Sequence, residues 1–318
     1  MIYTINNCIR AFGYTNFDKL IEDKGSIDGL KEYVRANGYA DIAVGEDTEL
    51  LLVDVNGKTW HTGCYGAKLE PPKQYLCFTS TGDSTVAMTQ NGTPNKSANK
   101  VIQYKLNDGQ WQTWDLSAVT LADGDKMYFK SDDEIPVSES AEIYKQFVIT
   151  GSITASGNTM SLLNFSATLS NYAFIRMFKD CASLTAAPAL SATTLADACC
   201  AMMFEGCTSL TTAPALPATT LRISCYIQMF YGCTSLVQAP ELPATELVQY
   251  CYSRMFEGCT KLNYVKAMFT NLVSNALYKW LSAVSPTGTF VKNSAATWTN
   301  EDVGIPSGWT VQTASPDK

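Results

Sequence analysis

Between residues 73 and 147 apolar and polar positions alternate in short runs: YLCFTS, STVAMTQ, VIQYKLN, QWQTWD, KMYFKS and KQFVITGSIT. A period of two places one side of each run on a core. Turn signals separate the runs: Gly82-Asp83, Asn91-Gly92, Asn107-Asp108-Gly109 and Asp123-Gly124. Short strands at such spacing predict a β-sandwich. Tyr104, Trp111, Trp114 and Tyr128 read as core or cross-strand aromatics. The pattern is immunoglobulin-like but without a disulfide, since only Cys77 lies in the segment.

Residues 1–72 have another texture. Ile27, Leu30, Tyr33 and Val34 fall on one face of a helix, and Gly38 stands where its C-cap would be. The stretch ELLLVDVNGKTWHTG then reads as two strands joined at Asn56-Gly57. The expectation is a small α+β module, followed by the proline-stiffened linker EPPKQ.

From residue 148 the pattern is a repeat. MFEGCTSLTTAPALPATTLRISCYIQ at 203–228 is followed by MFYGCTSLVQAPELPATELVQYCYSR at 229–254. A related unit fills 177–202, and a fading one begins at Met255. In the unit at 203, Leu210, Ala213 and Leu216 point inward from an extended piece. Pro214, like Pro188 and Pro240, keeps that piece short or broken. Leu221, Cys225 and Met229 are spaced by four, as are Tyr226 and Phe230, and Thr219 precedes them as a candidate N-cap. Gly206, Gly232 and Gly258 read as helix stops, with Asp180 in the same place. Each unit is therefore expected to be a short strand, a turn and a short helix. A unit alone cannot bury its apolar face, so the units stack and bury the repeated letters. The letters that vary lie outside: Lys179, Glu205, Tyr231 and Glu257; Asp197, Ile223 and Gln249; Ala186, Thr212, Gln238 and Tyr264.

The motif MFxGCTSLxxAPxLPATxLxxxCY resembles the BspA-like class of leucine-rich repeat, common in proteins of gut bacteria and their phages. The likeness covers about residues 155–285. These units are somewhat longer than the usual motif and carry an extra proline. The ending GTFVKN…GIPSGWTV at 288–311 and the preceding sandwich look like segments that accompany such repeats. Residues 1–72 lie outside this resemblance. The implied fold class is multidomain α+β: an N-terminal α+β module over 1–72, an Ig-like sandwich over 73–147, and a leucine-rich-repeat solenoid with a C-terminal cap over 148–318.

Charge and candidate chemistry narrow the function. The net charge is −7 with no Lys/Arg run, which argues against nucleic acid and against an anionic membrane surface. No apolar stretch is long enough to span a membrane. No export signal is evident at the N-terminus, so the chain is expected to stay in a cytoplasm or leave it by another route. His61 is the single histidine, which leaves no His-based triad or multi-His metal site. The eleven cysteines include two repeated columns: Cys181, Cys207, Cys233 and Cys259, and Cys199, Cys225 and Cys251. They read as buried small apolar side chains. Their Cys-x7-Cys spacing does not suit zinc, and disulfides are the alternative that the odd total leaves open. His61 to Cys64 (HTGC) lacks a third catalytic group. Residues 123–134 (DGDKMYFKSDDE) lack the ligand spacing of a calcium loop.

The expectation is a protein with no catalytic, cofactor-binding or metal-binding residues. The resemblance, together with the distinct N-terminal module and no evident export signal, leads to the expectation of a virion structural protein of a phage infecting gut bacteria, a head or tail fibre or decoration protein. Residues 1–72 attach it to capsid or tail proteins, and the repeats meet a host protein or glycan. Tyr231, Tyr250 and Tyr264 are candidate exposed aromatics. A homotrimer follows by analogy with fibres. The alternative is a bacterial cell-surface or secreted adhesin, and the weaker one an intracellular interaction module.

Overall fold

A computed structural model describes the backbone of residues 41–44, 49–53 and 59–65. From residue 74 it describes all but 274, 299–303 and 315–318. The chain divides into two compact units, Met1–Lys73 and Gln74–Lys318. In the first, β1 (Asp41–Val44), β2 (Glu49–Val53) and β3 (Thr59–Tyr65) form an antiparallel sheet in that order. Val53 faces Thr59, so the expected pairing of the two runs is present. The Asn56-Gly57 turn, the helical spacing at 27–34 and the Gly38 C-cap lie outside the described residues.

The second unit begins with two antiparallel sheets. Its first strands are β4 (Leu76–Ser80), β5 (Ser84–Asn91), β6 (Gln103–Leu106), β7 (Gln112–Thr113), β8 (Val119–Leu121) and β9 (Lys126–Lys130). They are followed by β10 (Tyr144–Thr150) and β11 (Ile153–Ser156). One sheet runs β10-β5-β8 and the other β11-β4-β9-β6-β7. Alternate residues turn inward, and the sheets meet through rings: Phe78 on β4 lies 4.9 Å from both Phe129 on β9 and Phe147 on β10. Trp114 joins this core, whereas Trp111 and Tyr128 stay half-buried. The sheet's edge strand β11 comes from beyond residue 147, and Ile153 bridges in parallel to Leu184 of the repeats.

The α+β expectation with a leucine-rich-repeat solenoid of strand–turn–helix units is overturned. Among the described residues there is no α-helix, only two short 3-10 pieces at Lys96–Asn99 and Thr159–Leu163. The described residues are all-β, and their strands pair mainly antiparallel. Thr219 caps nothing; it sits in a bend.

The segments expected to be helical are runs of tight turns. Within one run alternate N–H groups bond three residues back, as Cys225 does to Arg222, Ile227 to Ser224 and Met229 to Tyr226. The residues between them donate to the next run instead: Ser224 to Gln249, Tyr226 to Cys251, Gln228 to Ser253, Phe230 to Met255. Every fourth residue is left-handed, with φ of 55°, 54° and 70° at Ser224, Gln228 and Gly232. The same three places recur at Ala198, Met202 and Gly206 and at Tyr250, Arg254 and Gly258. An α-helix needs consecutive right-handed residues, so this backbone cannot be one. The spacing of four seen in the sequence is the length of a turn.

Stacking these runs puts like on like. Phe147, Phe178, Phe204, Phe230 and Phe256 form a column with centroids 5.2, 5.1, 5.6 and 5.7 Å apart, all within 13° of parallel. Such ring pairs contribute roughly 0.5–1.5 kcal/mol each beyond the area they bury. The expected inward Leu210 and Leu216 are buried, and Ala213 is half-buried. The proline-containing pieces make only isolated bridges, such as Ala186 to Thr212, as the prolines predict. The unit ends in a parallel sheet of β12 (Tyr264–Ala267), β13 (Gly288–Asn293) and β14 (Trp309–Ala314). Phe269, Trp280, Phe290 and Trp298 close that end. One continuous core therefore runs from β4 to Trp309. No helix among the described residues is long and apolar enough to cross a membrane.

Candidate recognition surface

The repeated cysteines belong to the interior. Cys181, Cys207, Cys233 and Cys259 are each at most 1% exposed. Each thiol donates to the carbonyl of the phenylalanine in the layer before: Cys181 to Phe147 at 3.4 Å, Cys207 to Phe178 at 3.0 Å, Cys233 to Phe204 at 3.1 Å and Cys259 to Phe230 at 3.0 Å. The Phe178, Phe204 and Phe230 carbonyls already accept a turn N–H, so there the thiol fills the second lone pair. Burial pushes Cys181 and Cys259 up to about 12 and Cys251 up to about 11. All nine described cysteines are free and buried. Thiolate is the reactive form, so Cys181, Cys251 and Cys259 are poor nucleophiles and poor metal ligands at neutral pH.

Outside that interior the non-repeating letters divide into two kinds. At the first set, Lys179 and Glu205 pair across adjacent layers at 2.5 Å. Glu257 pairs with Arg254 at 3.0 Å, and Tyr231 is half-buried. At the second set, Asp197 faces Arg222 at 3.8 Å, and Ile223 and Gln249 stand exposed. At the third set Thr212 and Gln238 are exposed while Ala186 and Tyr264 are half-buried. Of the candidate aromatics only Tyr250 is exposed, at 40%. Tyr278, at 42%, is a further exposed ring that the sequence did not single out. It falls where the stacking offset drops from 25 residues to 24, as in the bond from Arg254 to Tyr278, so counting by 26 misses it.

A groove of about 290 Å³ lies on the extended side of the last layers, lined by Glu241, Leu242, Pro243, Thr245, Lys266, Met268 and Asn293. Lys266 and Glu241 stand 3.8 Å apart at its mouth. Asn293 is held in place: its amide donates to the Met268 carbonyl at 3.2 Å and its oxygen accepts from the Ala295 N–H at 2.9 Å. The groove takes residues from three successive layers, so no single repeat displays it. Its lining offers one carboxylate, one ammonium and apolar walls, but no nucleophile paired with a base.

The other candidate chemistry separates on inspection. His61 and Cys64 lie on β3, and their side chains are outside the described residues. In 123–134 the carboxylates have different partners. Asp125 accepts from Asn107 and Ala122, and Asp132 from Lys130 and Gln103. Asp133 pairs with the buried Lys100 at 2.8 Å. Among the described residues no cluster of three or more His, Cys, Asp or Glu is placed to hold a metal. No family model, curated protein or solved structure matches this chain.

Proposed function

We propose that this chain is a non-enzymatic structural protein of a phage particle, a head or tail fibre or decoration protein that presents the repeat segment to a host-surface protein or glycan. The observation that carries the reading is the sorting of letters. The repeated Met, Phe, Cys and Leu are buried in column after column, while exposed places such as Thr212, Ile223, Gln238 and Gln249 differ from layer to layer. A constant interior under a changing exterior is suited to presenting a surface rather than to enclosing a reaction. The resemblance of the repeat letters to the BspA-like class supplies the biological setting. In this reading residues 1–72 attach the chain to capsid or tail, and the assembly is a homotrimer.

Peptide mass spectrometry of purified particles tests it. The protein is expected among the virion components, and deletion of residues 1–72 is expected to remove it from the particle. Absence from a complete virion, with recovery from the surface or medium of uninfected cells, would replace this reading with that of a bacterial adhesin.

A further inference from the structure

The outer face of the five-stranded sheet carries a group of side chains with a chemistry of its own. On β9 Met127 and Phe129 turn into the core, which leaves Lys126, Tyr128 and Lys130 outward. Across the ladder Lys105 on β6 stands opposite Tyr128. Trp111, between two exposed glutamines just before β7, folds over this face and is half-buried. The Lys105 ammonium sits 5.7 Å from the Trp111 ring and 5.0 Å from the Tyr128 ring. The Lys130 ammonium sits 5.2 Å from the same Trp111 ring. Tyr75 supports Trp111 edge-on at 4.9 Å.

Two like charges thus converge on one indole. Lys130 shares its charge with Asp132 at 2.9 Å. The Lys105 ammonium meets only the two rings among the described residues. In a chain of net charge −7 two cations are thus brought to one amphipathic ring on the sheet.

We propose that this face binds a carboxylate-bearing sugar of an acidic polysaccharide. The flat apolar side of a pyranose covers the Trp111 ring. Lys105 and Lys130, held at the ring by weak cation–π attraction, swing onto the sugar carboxylate. The exchange replaces a weak ring contact by a charge-assisted hydrogen bond. Sparse negative charge suits the face better than dense charge. Duplex nucleic acid carries a charge about every 1.7 Å of axis and needs a longer basic track, whereas these lysines are flanked by Asp108, Asp125 and Asp133. The site lies on the sandwich and does not depend on the particle assignment.

The test is titration of the full chain with polygalacturonate and with polysialic acid, using fully methyl-esterified polygalacturonate and single-stranded oligothymidylate as comparisons. At least one acidic polysaccharide is expected to bind, with affinity falling as salt rises. The methyl ester should bind at least tenfold more weakly than polygalacturonate where that polymer is bound. The Lys105→Gln/Lys130→Gln chain and Trp111→Ala should each lose at least tenfold. Trp111→Phe, which keeps a ring, should retain most of the affinity. Circular dichroism matching the parent would show that each variant is folded. The proposal is overturned if neither acidic polymer binds at millimolar sugar, if polygalacturonate binds and its ester binds as tightly, if folded variants bind like the parent, or if the oligothymidylate binds more tightly than both.

Discussion

The sandwich and the stacked turns share one core but satisfy their backbones differently. In the sandwich a strand bonds to its neighbours along its whole length, as β10 does to β5 over seven facing pairs. In the stack, N–H groups are used alternately, one within the layer and the next between layers. The first arrangement tolerates no left-handed residues inside a strand. The second requires one at every fourth place. Phe147 belongs to both: it lies on β10, touches Phe78 and Phe129, and stacks on Phe178 at 5.2 Å. The two backbone solutions are therefore joined through a ring rather than through a linker.

The largest expected effect follows from that joint. Phe147→Ala should cost about 3–5 kcal/mol, the usual range for a buried phenylalanine. Urea unfolding followed by Trp fluorescence and by far-UV circular dichroism should shift together. A shift confined to one probe would mean that the two regions unfold separately.

Thiol chemistry comes next. With Cys181 and Cys259 pushed from 9.0 to about 12, their thiolate fraction at neutral pH is about a thousandfold below that of an ordinary thiol. Native protein should therefore show at most two fast-reacting thiols, from Cys8 and Cys64, against eleven after denaturation. Fast alkylation of any repeat cysteine in folded protein would contradict the buried columns.

A smaller effect tests the backbone by its sign. A left-handed residue other than glycine costs roughly 1–2 kcal/mol, so Ser224→Gly should stabilise the stack by up to about 1 kcal/mol. Gly232→Ala, at φ 70° with no atom nearer than 4.0 Å to the new Cβ, should destabilise by about 1–2 kcal/mol on conformational grounds. In the sandwich the sign reverses: Thr89→Gly on β5 should cost roughly 0.5–1 kcal/mol. If Ser224→Gly instead lowered stability by about 1 kcal/mol, the segment would be behaving as a helix.

The smallest effect belongs to the sandwich alone. Burial would raise the Glu139 carboxyl, but N–H donors at Ser97, Lys96 and Asn95 outweigh it and hold the group at about 2. A depressed folded value gives stability that is complete above the ordinary glutamate range and lost as pH falls through about 2. The difference in urea midpoint between parent and Glu139→Gln should thus be constant from pH 7 to 5 and shrink from pH 4 to 2. A difference that grew on acidification would reverse the assignment.

Much of this was legible in the letters. The alternation of two gave β4, β5, β6 and β9 and the pairing of β2 with β3. The strand β8 escaped because Val119–Leu121 is three residues long with one side chain fully buried. The repeat identified its own interior, since an unchanging Met, Phe, Cys or Leu has no reason to recur unless it packs on itself. Its backbone was misread for a physical reason. A helix and a file of four-residue turns both bring residues i and i+4 to the same side, so Tyr226 and Phe230 fit either. What separates them is handedness at places such as 172, 198, 224 and 250, which hold Tyr, Ala, Ser and Tyr. None of these is the glycine that announces such a conformation; only Gly206, Gly232 and Gly258 did, and they suit a helix stop equally well. The groove and the lysine–tryptophan face were invisible because each gathers residues from separate elements.

The alternating hydrogen bonds also bear on how such a chain can change length over generations. Each layer is bonded to its immediate neighbours, in register, so adding or removing a whole 26-residue segment leaves every remaining donor opposite its acceptor. A one-residue change inside the file would misalign all bonds at that step. Among the described residues the one step between runs of turns with a shortened offset, where Phe256 donates to Trp280 only 24 residues on, is the last. There no further layer of turns follows to inherit the slip. Whole units can therefore be gained or lost without breaking this bonding, whereas a change of spacing fits at the last step.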